Sequence, residues 1–251
     1  MIRVERLITA AIVIAFFGSW EAAARLDLIS KLFFPAPTIV AKTLVDGLAS
    51  GRLVTDLVAT ATRLGFGLLL GCIPAILLGY VIGWSKRMAL IIDPLIAAIH
   101  PIPKIAVLPL LMILLGIGEA SKLAAVAFSC FFPMVITVAA GVRQVSASMF
   151  DVVRSYGGSR IQIVRHVILP GSLPFLLAGL RIAVNVGLVV TIAVELAASR
   201  TGLGALIWLS WETLRVVDLY AGLVLIAAVG IGSASLIQWL TRRLVPWQSA
   251  L

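Results

Sequence analysis

Long apolar runs separated by short polar connections set the pattern of this chain. A helix needs about 20 mostly apolar residues to cross the hydrocarbon of a bilayer. Such runs occur at 7–24, 58–84, 88–116, 123–142, 173–196 and 219–241. The first is interrupted by Glu21, and the fifth contains Arg181 and ends near Glu195. The third contains His100 and Lys104 with Pro101, Pro103 and Pro109. Proline is tolerated in a span where neighbouring helices or cavity water satisfy the freed carbonyls. The pattern predicts an all-α membrane protein of about six transmembrane helices. A single transmembrane domain over 1–251 is expected, with no soluble domain, low-complexity segment or internal repeat.

Two finer patterns lie within this frame. Between the first two spans, Pro35 and Pro37 break the chain and Thr38 can cap a short helix. Its apolar residues Ile39, Val40, Leu44, Val45 and Leu48 recur at helical spacing, which predicts an amphipathic helix on the outer membrane surface. In the second span Gly67, Gly71, Ala75, Gly79 and Gly83 recur every four residues. A ridge of small residues lets another helix approach closely. The pattern leaves open whether that helix belongs to the same chain or to a second copy.

Composition agrees with the spans. Of 251 residues, 61% are hydrophobic and 12% charged. Soluble domains average roughly 45–50% apolar and about 25% charged residues. The net charge of +9 would suggest nucleic acid in a soluble protein. Here the basic residues fall mostly between spans and read as topology signals, so no nucleic-acid partner is expected. With the N-terminus inside, ten Lys and Arg lie in cytoplasmic connections and seven outside. Both termini are therefore expected in the cytoplasm, in a multi-pass membrane protein. The first apolar stretch lacks a small-residue cleavage site and reads as a retained span, not a signal peptide.

Little in the chain suggests catalysis. There is no GxxxxGK[ST], HExxH or GxSxG, and no Gly-Lys pair. Cys72 and Cys130 lie in apolar runs with no metal-ligand spacing around them, so no metal site is expected. His100 and His166 belong to different regions, one at a span and one in a connection. The chain itself is expected to be non-catalytic.

The polar stretch Asp151–Pro174 stands apart from this apolar background. Ser148-x-x-Asp151 matches a capping box and predicts a helix from Met149 to Tyr156. Gly157 suits the position after its end, where positive φ is usual. Ser159-x-x-Gln162 matches a second capping box, opening a helix that should stop before Pro170. Ile161, Val164 and Ile168 share one face of it, and Arg160, Gln162, Arg165 and His166 populate the other side. Three readings fit such an element: an interfacial anchor on anionic lipid, a solvated loop, or a shaped knob that binds a partner. The tight hinge favours the knob.

The same segment, 147–170, resembles the "EAA" motif of importer-type ABC permeases. That motif is Glu-Ala-Ala, three residues, Gly, nine residues, Ile-x-Leu-Pro. Here it reads Asp151-Val152-Val153, three residues, Gly157, nine residues, Val167-Ile168-Leu169-Pro170. Asp replaces Glu and two valines replace the alanines, while the spacing is kept. "PIPKIAVLPLLMILLGIGEASKL", "FFPMVITVAAGV", "GLRIAVNVGLVVTIAVEL" and "GLGALIW" are similar to the nitrate/sulfonate/taurine subgroup. The resemblance runs from about Pro35 to Leu240.

The resemblance implies an importer-type ABC permease fold with a cytoplasmic coupling helix seated in a separate ATPase dimer. Asp151, Ser155, Gly157, Gly158, Ser159, Arg160, Leu169 and Pro170 would form the coupling site. ATP and Mg would bind the ATPase, leaving no cofactor on this chain. A second permease copy, as a homodimer, and a periplasmic or lipid-anchored substrate-binding protein would complete the complex within membrane lipid. Ionisable residues inside spans are functional candidates, here Lys104, Arg181, Glu195 and Arg63. Their positive excess suits an anion such as an aliphatic sulfonate, taurine, nitrate or bicarbonate, moved by alternating access. Two other classes compete. An ion-gradient-driven secondary transporter or channel calls for acidic residues at mid-membrane, where only Glu195 is a candidate. A membrane scaffold would use the basic segment to hold lipid.

Overall fold

The computed structural model describes residues 2–247, and only the backbone of Ile2, Arg3, Val4 and Arg6. Among the described residues every regular element is helical. In order they are α1 (Ile2–Arg25), α2 (Pro37–Ala49), α3 (Arg52–Trp84) and α4 (Lys86–Ile99). A 3-10 turn (Lys104–Val107) leads into α5 (Leu108–Leu115), then α6 (Glu119–Arg143), α7 (Ala147–Ser155) and α8 (Arg160–Ile163). A π turn (Val164–Ile168) joins α8 to α9 (Leu169–Ala198), followed by α10 (Leu203–Glu212) and α11 (Val216–Leu244).

Among the described residues five helices are long and apolar enough to cross a membrane, or six if one bent pair counts as a span. The bent pair corrects the expected third span. Lys86–Ile99 and Lys104–Leu115 meet at 89° instead of forming one rod. Pro101 and Pro103 fall at the break, each lacking an N–H and unable to continue the helix. The second span also starts earlier than its apolar run. At 33 residues, α3 is about 50 Å long, against about 30 Å of hydrocarbon.

The chain divides into two compact units. One comprises the residues up to Ala59 and Glu195–Ala227; the other comprises Thr60–Val194 and the residues from Ala228 onward. In the first unit, α1 buries only 6% of its apolar window and exposes Leu7, Ile14 and Phe16. Such a face suits lipid. The start of α2 differs from expectation, because Thr38 is not its cap. Ala36 is the N-cap residue and Pro37 opens the helix. Glu21 of α1 accepts the Thr38 N–H at 3.0 Å and its hydroxyl at 2.8 Å. A carboxylate at a helix N-terminus satisfies an orphan donor and complements the dipole. The residue that interrupts the first apolar run thus fixes the next helix.

In the second unit α6 is the central helix, with Val126, Cys130, Met134, Val135 and Val138 among its buried residues. The small-residue ridge of α3 lies against it, inside the same chain. A Cβ placed on Gly71 would stand 2.3 Å from the Ala127 carbonyl oxygen. One on Gly67 would meet Val126, one on Gly79 would meet Val138, and one on Gly83 would meet Val142. Ala75, the remaining ridge position, is fully buried. On its other side α6 meets α9, where Gly179 faces Thr137 and Gly187 faces Cys130. Without a hydrophobic force between helices in lipid, such backbone proximity supplies the van der Waals contact that holds them.

Candidate functional site

The helix–glycine–helix element is built as a knob. Its first helix, α7, begins two residues earlier than the Ser148 capping box predicts. Ser146 is the N-cap residue, without a side-chain cap bond, and its hydroxyl lies 2.7 Å from that of Ser148. Asp151 is therefore an exposed mid-helix residue, within 3.9 Å of Arg154, and not an N-terminal cap. The end of α7 follows the expected chemistry. Gly157 has φ +72°, its N–H bonds the Arg154 carbonyl, and the Gly158 N–H bonds the Val153 carbonyl. That pair of bonds is a Schellman motif. Gly158 is also constrained by packing, since a Cβ there would come 2.4 Å from Val153 Cγ1. The valine that replaces alanine in the motif is accommodated by this glycine.

The second capping box is present in full. Ser159 Oγ accepts the Gln162 N–H, and Gln162 Oε1 accepts the Ser159 N–H at 2.7 Å. Arg160 is exposed at the first turn, and the Ser155 hydroxyl bonds back to the Val152 carbonyl. The predicted stop before Pro170 does not occur. Leu169 is helical, and its N–H reaches back five residues to the Val164 carbonyl. This wider turn relieves the crowding that proline imposes on the preceding residues. The chain from Arg160 to Ala198 is one 39-residue apolar helix. Ile163 and Ile168 pack with Val142 into a buried cluster, flanked by Tyr80, Phe150, Val153 and Val164. The knob is thus seated on the ends of α3 and α6 and is continuous with α9.

The four charged candidates in the spans have distinct surroundings. Arg63 is 6% exposed and holds Glu119 with two bonds of 2.7 and 2.9 Å. Lys122, also buried, donates to the same carboxylate at 2.9 Å. Two buried cations thus share Glu119, whose own carboxylate is exposed at the start of α6. Lys104 turns back on the break after α4. It donates to the His100 carbonyl and to the Ile102 carbonyl, the latter at 2.9 Å, and lies 5.0 Å from the Phe132 ring centre. In the other unit, Glu195 is fully buried and accepts the Gly204 N–H at 2.9 Å, at the start of α10. Next to it Gly202 has φ +110° and donates its N–H to Asp56 at 2.8 Å. Arg181 is different. It is exposed near the middle of α9, on a face shared with Ile182, Asn185 and Val189. Glu119, Glu21 and Asp56 were not among the sequence candidates, because each is engaged by a residue distant in the chain, Arg63, Thr38 and Gly202 respectively; Lys122 joins them through Glu119, three residues before it on α6.

Membrane-length helices, with a helical knob continuous with one of them, are the build of a multi-pass membrane protein. The chain belongs to the family of binding-protein-dependent transport system inner membrane components, which it matches over residues 67–249. It is 36% identical to the taurine transport system permease protein TauC of Escherichia coli (strain K12) over 233 residues. That alignment covers 91% of this chain and 85% of TauC. A Bacillus subtilis (strain 168) protein, provisionally named an aliphatic sulfonates transport permease, SsuC, is 30% identical over 244 residues. Coverage there is 97% of this chain and 87% of the relative. Among solved structures, a chain of the MetNI methionine ABC transporter in an inward-facing conformation superposes with a TM-score of 0.60. At 20% identity, over 78% of this chain and 94% of that one, the likeness is one of fold. Membership of the family makes this chain a transport permease and not an enzyme. An ATPase subunit and a substrate-binding protein are the partners the family implies.

Proposed function

We propose that this chain is the membrane half of an ATP-driven importer for taurine or a related small aliphatic sulfonate. The observation that carries the reading is its identity to two permeases named for those substrates, over more than nine-tenths of its length. Two copies form the pathway as a homodimer, each chain acting as one permease domain. The knob, with Asp151, Ser155, Gly157, Gly158, Ser159, Arg160, Leu169 and Pro170, seats in the ATPase on the cytoplasmic side, where both termini also lie. ATP and Mg bind that ATPase, and no cofactor binds this chain. Closure of the ATPase dimer pushes the knob, and α9 carries the push into the bundle, alternating access between the two sides. Of the charged candidates, Arg181 fits the pathway best. Arg63, Lys104 and Glu195 already have partners within the chain.

The test is uptake into proteoliposomes containing the permease, its ATPase and its binding protein. With the binding protein outside, labelled taurine is expected to enter only when ATP is in the lumen, and Tyr156→Cys is expected to react only with reagent on the ATP-binding side. Uptake driven by an ion gradient without ATP would overturn the reading.

A further inference from the structure

Beside the knob lies a cavity of about 400 Å³ that the transport reading does not use. Its walls are the end of α3, the start of α4, the end of α6, and α7. Ile82, Val142 and Ile168 form an apolar floor, and Lys86, Arg143 and Arg154 supply three cations. A second hollow of about 440 Å³ adjoins it and shares Lys86, Ala89 and Arg143. That one runs along α4 past Leu90, Asp93 and Pro94. The acidic groups nearby are few. Asp93 pairs with Arg143 at 2.7 Å, and Asp151 approaches Arg154 at 3.9 Å. Among the described residues, Lys86 makes no ion pair.

We infer that this double cavity binds the phosphate headgroup of an anionic phospholipid, with an acyl chain lying along α4 beside Leu90 and Pro94. The chemistry points to a phosphate monoanion with an apolar tail. Cations surround a floor made of aliphatic side chains, and exposed Trp84 stands at the rim, as aromatic residues do at headgroup level. Basic pockets between helices on the cytoplasmic side suit anionic headgroups, because that leaflet carries a negative surface potential. A free phosphate would have no use for the aliphatic wall that Ala89, Leu90 and Pro94 give the second hollow. Arg154 and Phe150 belong to α7, whereas Lys86 and Ala89 belong to α4. A bound headgroup therefore joins the knob to the α3–α4 corner. Occupancy would stiffen the seat from which the knob acts.

The inference rests on reading this end of the molecule as cytoplasmic. Its test is lipid retention by the full chain, purified with its partner subunits from mixed phosphatidylglycerol and phosphatidylcholine and measured by native mass spectrometry. The wild type is expected to retain phosphatidylglycerol over phosphatidylcholine. Lys86→Gln is expected to lower that preference about five-fold, the contribution of one basic residue near an anionic surface. Arg87→Gln, which removes an equal charge outside the cavity, is expected to lower it clearly less than Lys86→Gln does. Added inorganic phosphate should not displace the lipid. Equal retention by Lys86→Gln and Arg87→Gln would overturn the inference, as would displacement by phosphate, which would indicate a free-anion site. A preparation that brings no ATPase with it would count against the transport reading while leaving the lipid readout intact.

Discussion

Gly157 concentrates the demands on the knob in one residue. Its φ of +72° lies in the left-handed region, and no side chain lies within 4 Å of where its Cβ would project. Any effect of substitution must therefore come from the backbone and not from crowding. A β-branched residue in that conformation costs roughly 1–2 kcal/mol, while asparagine visits it readily. Gly157→Val is expected to insert in the membrane but to lose the Schellman turn that sets the angle between α7 and α8. Co-elution with the ATPase and substrate-stimulated hydrolysis are then expected to fall together. Gly157→Asn should keep most of both. Equal behaviour of the two variants would mean that the turn geometry is not what the ATPase reads. Gly158, next in the chain, is held by a different constraint, contact with Val153. The Gly-Gly pair thus combines one conformational requirement with one steric requirement.

At the scale of elements, the α3–α6 contact is the most exacting piece of packing. Gly71 faces a backbone carbonyl at a distance no Cβ adopts, so a methyl group there must push the two helices apart. Overpacking of this kind costs about 1–3 kcal/mol. Gly71→Ala is expected to lower the melting temperature of the detergent-purified protein. Gly65→Ala, on the same helix with nothing within 4 Å, should not. A Gly71→Ala melting point no lower than that of Gly65→Ala would show that α3 does not press on α6 there. The four-residue spacing of this ridge was legible in the sequence because a helix places such positions on one face whatever its neighbour is. The six apolar runs and the Ser159–Gln162 box were legible for the same reason: each depends on residues a few positions apart. The partners were not. Glu21 caps a helix 17 residues away, and Arg63 reaches Glu119 across 56 residues. The start of α7 was misread by two residues, since Ser146 and Ser148 offer equivalent hydroxyls and only the folded chain selects between them. The 89° break at Pro101 and Pro103 left its proline signature in the sequence, but hydropathy alone counts both arms as one span.

At the scale of the whole molecule, Arg181 stands out among the described residues as a cation within a span for which no ion pair is formed. An arginine at the centre of a membrane helix costs about 2.5–3.5 kcal/mol on insertion scales unless it meets water or a polar partner. Arg181 stands near the middle of α9 and is exposed, with Asn185 one turn away on the same face. In a homodimer whose pathway runs between two copies, that face turned inward would present a guanidinium and an amide to the passing solute. A sulfonate offers three acceptor oxygens, and a planar guanidinium can donate two parallel bonds to such an anion. Hydrogen bonds to charged groups are worth about 1.5–3 kcal/mol, equivalent to roughly ten- to hundred-fold in rate or affinity. Arg181→Gln is therefore expected to reduce ATP-dependent taurine uptake by at least about ten-fold, with co-purification of the ATPase unchanged. Arg181→Lys, which keeps the charge but not the fork, should fall between Arg181→Gln and the wild type. The measurement is initial uptake rate in proteoliposomes alongside basal ATP hydrolysis, which separates a pathway defect from a coupling defect. Uptake by Arg181→Gln at the wild-type rate would remove Arg181 from the pathway and make its partner across the dimer the group to identify.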